Sequence, residues 1–179
     1  FLAHKEIIKI EKKNSIKIKY KPVLLGGLHN LHGIKAPAFI PAKAKHMIRD
    51  CKLIAEKNEI KFKFNSYFPI RSLNLMRGVL VAEEDNFKSY YIENIYNSIW
   101  QDGLNMNDEN IIQKILKNLS INPKTFFLRS TSSSIKDSLR IKTNEAYEKG
   151  IFGAPSFVVN NKIFWGQDRI EFALNEANK

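Results

Sequence analysis

The stretch Gly150-Ile151-Phe152-Gly153-Ala154-Pro155-Ser156-Phe157-Val158-Val159-Asn160-Asn161-Lys162-Ile163-Phe164-Trp165-Gly166-Gln167-Asp168-Arg169-Ile170-Glu171-Phe172-Ala173-Leu174 decides the fold. Gly150 supplies the left-handed residue with which helices commonly end. After the Gly153-Ala154-Pro155 turn, Ser156–Val159 and Lys162–Trp165 form two short apolar runs around Asn160-Asn161. Asn tolerates the positive φ that a two-residue hairpin loop demands, so these runs read as a β-hairpin. Gly166-Gln167-Asp168 then opens a helix with Ile170, Ala173, Leu174 and Ala177 on its apolar face. Pro155 is tolerated at the head of a strand, where no ladder donor is required of it, and it is a place for a cis X-Pro bond.

Helix, proline turn, hairpin and helix in this order form the back half of a thioredoxin-like domain. The run Gly150–Val159 together with Phe164-Trp165-Gly166-Gln167-Asp168-Arg169 resembles the C-terminal signature of the 2-hydroxychromene-2-carboxylate isomerases. That family is a DsbA-like branch of the thioredoxin fold, related to the kappa-class glutathione transferases. Further resemblance lies in Phe1–Glu6, Pro22–Leu28, Phe68-Pro69, Trp100–Gly103 and Leu139–Ala146, so it extends over nearly the whole chain. It implies an α/β fold with one DsbA-like thioredoxin domain over residues 1–179. Residues 1–42 and 150–179 would form its thioredoxin part, with a helical subdomain, 43–149, inserted between the second strand and the C-terminal hairpin.

The chain of 179 residues is 44% apolar, long enough for a sizeable core. It has no apolar run near the roughly 18 residues of a membrane span, and no membrane partner is expected. A net charge of +11 raises the question of nucleic acid, but its 29 Lys and Arg are spread along the chain and no nucleic-acid motif accompanies them. No nucleic-acid partner is therefore expected, although such a field favours small anionic substrates. The single cysteine, Cys51, excludes a Cys-x-x-Cys redox pair within this sequence, and a reducing cytoplasm is the expected compartment. It shares an apolar stripe with Met47, Ile48, Ile54 and Ala55 and is expected in the core rather than as a nucleophile. His4, His29, His32 and His46 have no metal-ligand spacing.

From the N-terminus, Phe1 to Lys13 has a helical stripe ending at Asn14-Ser15, and Ile16, Ile18 and Tyr20 alternate with lysines as in a half-exposed strand. In the isomerase family a strand and a Ser-Pro-Tyr-Ser-like turn precede the residues that match Phe1-Leu2-Ala3, and that turn carries the serine that meets the glutathione sulfur. A parallel crossover needs that strand. The sequence is therefore expected to be N-terminally incomplete, by on the order of 10–20 residues or one strand and one turn; the alternative is a degraded member without activity. His29 to Pro41 reads as a loop, Lys43 to Asn58 as an amphipathic helix and Ser72 as the cap of a helix through Ala82. Asp85 is expected to cap a helix through Trp100 with a broad aromatic face including Tyr90 and Tyr91. Asp108 caps the next, and a long helix follows from about Ser132 to Lys149.

Spacing alone reveals no Ser-His-Asp set, Walker loop or acid pair, so the chemistry comes from the resemblance. It implies glutathione as cofactor, with the Ala154-Pro155 peptide facing its cysteinyl part and a cis Pro155 keeping that edge open. Gln167 and Asp168 would contact the γ-glutamyl group, and Lys43, at a loop-to-helix junction, the glycine carboxylate. By the residues alone, Asp168 is as well a helix-cap carboxylate and Lys43 a solvated surface lysine. Where kappa transferases place an Asn for that carboxylate, this chain carries Ile34. Trp100 and Trp165 are candidates to line the pocket of a small aromatic acid, and a homodimer is expected. Three readings stay open: a glutathione-dependent isomerase, a kappa-type transferase or peroxidase, and a non-catalytic scaffold of the same fold.

Overall fold

Residues 1–13 and 16–179 are described by a computed structural model; the expected helix stop at Asn14-Ser15 lies outside the described residues. Helix α1 is Leu2–Lys13; residues 16–24 carry no regular secondary structure and lead into α2 (Leu25–Leu31). A single 3-10 turn at Pro37–Phe39 leads into α3 (Pro41–Lys57), which has Pro at its first position, where the missing N–H costs nothing. The helical part continues with α4 (Leu73–Glu84), α5 (Lys88–Trp100), α6 (Glu109–Asn118), α7 (Pro123–Ser130) and α8 (Ser133–Glu148). The chain ends in β1 (Ser156–Val159), β2 (Lys162–Trp165) and α9 (Ile170–Ala177).

The main core lies where α4 meets α5, α7 and α8. Val81, Ala82 and Leu116 are fully buried, and Tyr91 is 1% exposed. Gly78 makes this packing possible: a Cβ there would fall 2.1 Å from Tyr91 Oη and 2.9 Å from Phe126 Cζ. The Tyr91 hydroxyl donates to the carbonyl of Leu75 at 3.2 Å, so its polar tip is satisfied inside the core. Asn65, 1% exposed, donates to the carbonyls of Ile99 and Leu104, both at 2.9 Å, and pins the loop before the cis Phe68-Pro69 bond onto the end of α5.

The hairpin forms as expected. Asn160 (φ 48°) and Asn161 (φ 61°) make the loop, and the register pairs Ser156 with Trp165 and Val159 with Lys162. Gly150 ends α8 at φ 77°. Glu176 on α9, almost buried, accepts from Lys162 at 2.9 Å, Lys179 at 3.0 Å and Asn160 at 3.4 Å, fixing α9 to the hairpin loop.

Several local expectations change. Residues 16–24 carry no regular secondary structure; positions 16–21 keep the alternation of half-buried and exposed side chains, but among the described residues they pair with no strand. Their amides turn to side chains instead: Ile18 N–H donates to Glu11 at 2.7 Å and Leu24 N–H to Thr143 Oγ1 at 3.0 Å. The expected loop from His29 begins inside α2, because burying Leu28 completely outweighs the poor helix propensity of Gly26 and Gly27. Ser72 sits at the start of α4 without capping it by a hydrogen bond. Asp85 follows the end of α4, where it and Glu84 bind Arg129 of α7, and Phe87 leads into α5. The aromatic face of α5 divides, with Tyr91 inside and Tyr90 72% exposed. Asp108 caps as expected, accepting from Asn110 N–H at 2.9 Å, and Ser132, where the long helix was expected to begin, caps it by accepting from Ile135 N–H at 3.4 Å. Cys51 is half-buried rather than in the core, and burial pushes its thiol pKa up.

Candidate functional site

Five of the seven expected site residues meet at one corner, built by the turn before the hairpin and the turn after it. Because the Asn-Asn loop fixes the register, Trp165 stands opposite Ser156 and its ring folds over the residues just upstream. A Cβ on Gly153 would lie 2.5 Å from Trp165 Nε1, so only glycine leaves room for this indole. Phe152 meets the same ring at a centroid distance of 4.8 Å. Ser156 Oγ donates to the Gly153 carbonyl at 2.7 Å and closes the turn. The Ala154-Pro155 peptide bond is cis, as expected.

On the other side of the corner, Gly166 N–H donates to the Pro155 carbonyl at 3.0 Å. That carbonyl is therefore occupied by the protein. Ala154 differs: it is exposed, and among the described residues neither its amide nor its carbonyl has a partner. Ala154 thus leads into the outer edge of β1, which pairs with no second strand among the described residues. Gly166 has φ 114°, and a Cβ on it would lie 2.5 Å from Asp168 Oδ1. The Asp168 carboxylate turns back toward the corner, 65% exposed, with Arg169 at 3.4 Å. It caps no helix by a hydrogen bond, which removes the alternative reading of this residue. Gln167 beside it is half-buried.

Lys43 and Trp100 stand apart. Lys43 is exposed in the first turn of α3 and has no ion pair among the described residues. Trp100 is half-buried in an aromatic cluster, 5.9 Å from Phe62, 5.7 Å from Phe64 and 6.0 Å from Phe68 between ring centroids. Among the described residues no hydrogen bond, ion pair or ring contact joins either residue to the corner. Cavities of about 390 and 410 Å³ lie along α8 and between α4 and α6, and none of the seven expected residues lines them.

The sequence reading missed a second polar cluster. His4, 7% exposed on α1, has Nδ1 2.7 Å from the Tyr20 hydroxyl and Nε2 2.6 Å from Glu93 on α5. Lys5 also binds Glu93, and Asn97 Nδ2 donates to it at 3.0 Å. A carboxylate only accepts, so Nε2–H donates to Glu93 and Nδ1 accepts from Tyr20. Burial lowers the His4 pKa, although Glu93 pulls the other way. No sequence spacing announces this cluster, since 89 residues separate His4 from Glu93.

The chain matches the family model of the DSBA-like thioredoxin domain over residues 1–177. It is 25% identical to 2-hydroxychromene-2-carboxylate isomerase of Sphingobium xenophagum over 96% of this chain and 88% of that protein. The protein of the same name from Pseudomonas putida is 21% identical, over 99% of this chain and 87% of its own length. Glutathione S-transferase kappa 1 of Rattus norvegicus is 24% identical, over 88% and 76%. A solved structure titled as a 2-hydroxychromene-2-carboxylate isomerase superposes with a TM-score of 0.87 at 20% identity, covering 99% of this chain and 87% of that one, a likeness of fold.

Proposed function

The chain belongs to the DsbA-like thioredoxin family, and from that premise we propose that it is a glutathione-dependent isomerase of the 2-hydroxychromene-2-carboxylate type, acting on a small aromatic acid. The observation that carries the reading is the open Ala154 peptide edge beside an exposed, turned-in Asp168. These groups suit a tripeptide: an unpaired N–H and C=O accept an extended backbone as a strand edge does. Asp168 offers a carboxylate to an ammonium, and Gln167 adds a neutral donor and acceptor. Lys43 provides a free cation at a helix start, a place that already favours a carboxylate. Trp165, half exposed at the corner, and Trp100, from the aromatic cluster, are assigned to the acceptor pocket.

Bound glutathione supplies a thiol able to add reversibly to a conjugated acid and so permit its cis–trans isomerisation. The residues of this chain orient the peptide and hold its charges; with one cysteine they bring no dithiol pair of their own. The reading includes a cytoplasmic homodimer, which light scattering tests. Calorimetry with reduced glutathione, then absorbance of 2-hydroxychromene-2-carboxylate with and without it, tests the activity. Saturable binding and a glutathione-dependent spectral change are expected; absence of both defeats the reading and leaves the scaffold without this chemistry. The kappa transferase relative favours one second reading, conjugation of glutathione to an electrophile. A spectral change with chlorodinitrobenzene and none with the chromene would select it.

A further inference from the structure

The cavity between the starts of α4 and α6 belongs to neither cluster described above. Its volume is about 410 Å³, at the small end of ligand pockets. The floor is apolar: Leu75, Met106 and Ile112 are 3%, 2% and 7% exposed, and Phe127 is half-buried beside them. The rim is polar, with Arg71 and Asn74 on the α4 side and Asn107 and Glu109 on the α6 side. Asn107 Oδ1 accepts from Arg71 N–H at 3.0 Å. This bond clamps the two sides together and leaves the Asn107 amide nitrogen as a spare donor.

The Arg71 guanidinium has no ion pair among the described residues, and it does not pair with Glu109 across the rim. Glu109 instead accepts from its own helix neighbour Gln113 at 3.4 Å. Asn74 is exposed and its carboxamide has no partner among the described residues. One side of the mouth therefore presents a free cation with amide donors, and the other a single carboxylate. An anion is welcome at Arg71, and a second anion would meet Glu109.

We infer that this cavity binds a small monocarboxylate with an apolar body, its carboxylate on Arg71 and its body against Met106, Leu75 and Ile112. The site is independent of the glutathione reading.

The chain contains three methionines, Met47, Met76 and Met106, so ¹³C-methyl methionine labelling of the full protein gives a direct probe. Titration with phenylacetate is expected to shift the Met106 methyl saturably and leave Met47, on α3, in place. Phenylacetamide, lacking the charge, and phenylmalonate, carrying a second one, should bind on the order of tenfold more weakly or worse. Arg71→Gln should weaken phenylacetate by about tenfold or more, while Arg71→Lys retains part of the affinity. Asn74→Trp, at an exposed rim position, should block the mouth and abolish the shift with the Met47 signal unchanged. A Met106 signal unmoved at about 10 mM phenylacetate overturns the inference, since it sets affinity below any useful range. So does equal binding of acid and amide, or undiminished binding by Arg71→Gln. Glutathione binding by Arg71→Gln is measured alongside; its loss would put Arg71 in the other site and overturn the separation claimed here.

Discussion

Two polar regions of this molecule use similar groups in opposite ways. At the junction of α1 and α5, His4, Lys5, Tyr20, Glu93 and the Asn97 amide nitrogen close on one another, with the imidazole relaying between a hydroxyl and a carboxylate and only Asn97 Oδ1 left buried without a partner among the described residues. At the C-terminal corner, the Ala154 peptide has no partner among the described residues and Asp168 stands 65% exposed. A polar cluster that satisfies nearly all of its groups holds elements together and gains little from a ligand. One that keeps donors and acceptors open in a fixed frame gains most when something fills them. The comparison separates a stability element from a binding element by counting free valences, and substitutions at the two regions should separate in the same way.

The largest effect is expected for Glu93→Ala. It leaves the nearly buried His4 without its acceptor and Lys5 without its counter-charge. Because Glu93 is a third exposed, water recovers part of the loss, and about 2 kcal/mol of stability should go. Burial alone would raise the Glu93 pKa, but hydrogen bonds from Lys5, His4 and Asn97 reverse that and hold it at about 2, against an ordinary 4.5. A folded value below the unfolded one means this contribution is present above pH 4.5. It is lost as pH falls from about 4.5 toward about 2. Urea denaturation at neutral pH and near pH 3 checks both points: the variant should show a flatter acid limb. Glutathione affinity of the folded variant should stay within about twofold of the parent.

Asp168→Asn should do the reverse. Among the described residues it caps nothing and its only ion pair is a 3.4 Å surface contact with Arg169, so stability should change by less than about 0.5 kcal/mol. Calorimetric affinity for glutathione should fall by about tenfold, the worth of one charge-assisted bond. Unchanged affinity would move the γ-glutamyl subsite away from this corner.

The corner was legible in the sequence because its determinants are local. Asn160-Asn161 fixes the register, the register places Trp165 opposite Ser156, and Gly166 starts the turn that presents Asp168. Gly153 could have been found by the same counting, since a large ring on the adjacent strand needs a small residue under it. The junction was not legible, because its members come from residues 4, 20 and 93 and meet only through helix packing. The same reason hid the pairing of Asp85 with Arg129, where a good helix-start residue was drawn instead to a guanidinium on α7. The strand expected at Ile16–Tyr20 shows the converse limit: alternation reports which side chains are covered, and the ladder requires a neighbour that no alternation supplies.

Gly153→Ala lies between the two regions in kind, and a smaller effect is expected. The new methyl would collide with Trp165 Nε1 at 2.5 Å, but the indole is 53% exposed and can swing toward solvent. Stability should fall by less than about 1 kcal/mol, with Trp165 fluorescence shifted to the red as the ring enters water. If the indole helps fix the Ala154 edge, glutathione affinity should drop several-fold, on the order of 1 kcal/mol.

The smallest effect sharpens the comparison most. Ser156 Oγ donates to the Gly153 carbonyl at 2.7 Å, and both residues are part of the frame rather than of the open edge. Ser156→Ala removes one neutral hydrogen bond at a half-buried position, worth about 0.5–1 kcal/mol. If the frame is rigid without this bond, glutathione binds Ser156→Ala as it binds the parent, and Ala154 alone defines the edge. If affinity falls by more than stability does, the hydroxyl is setting the direction in which the Ala154 amide points, and the boundary between frame and site runs through Ser156.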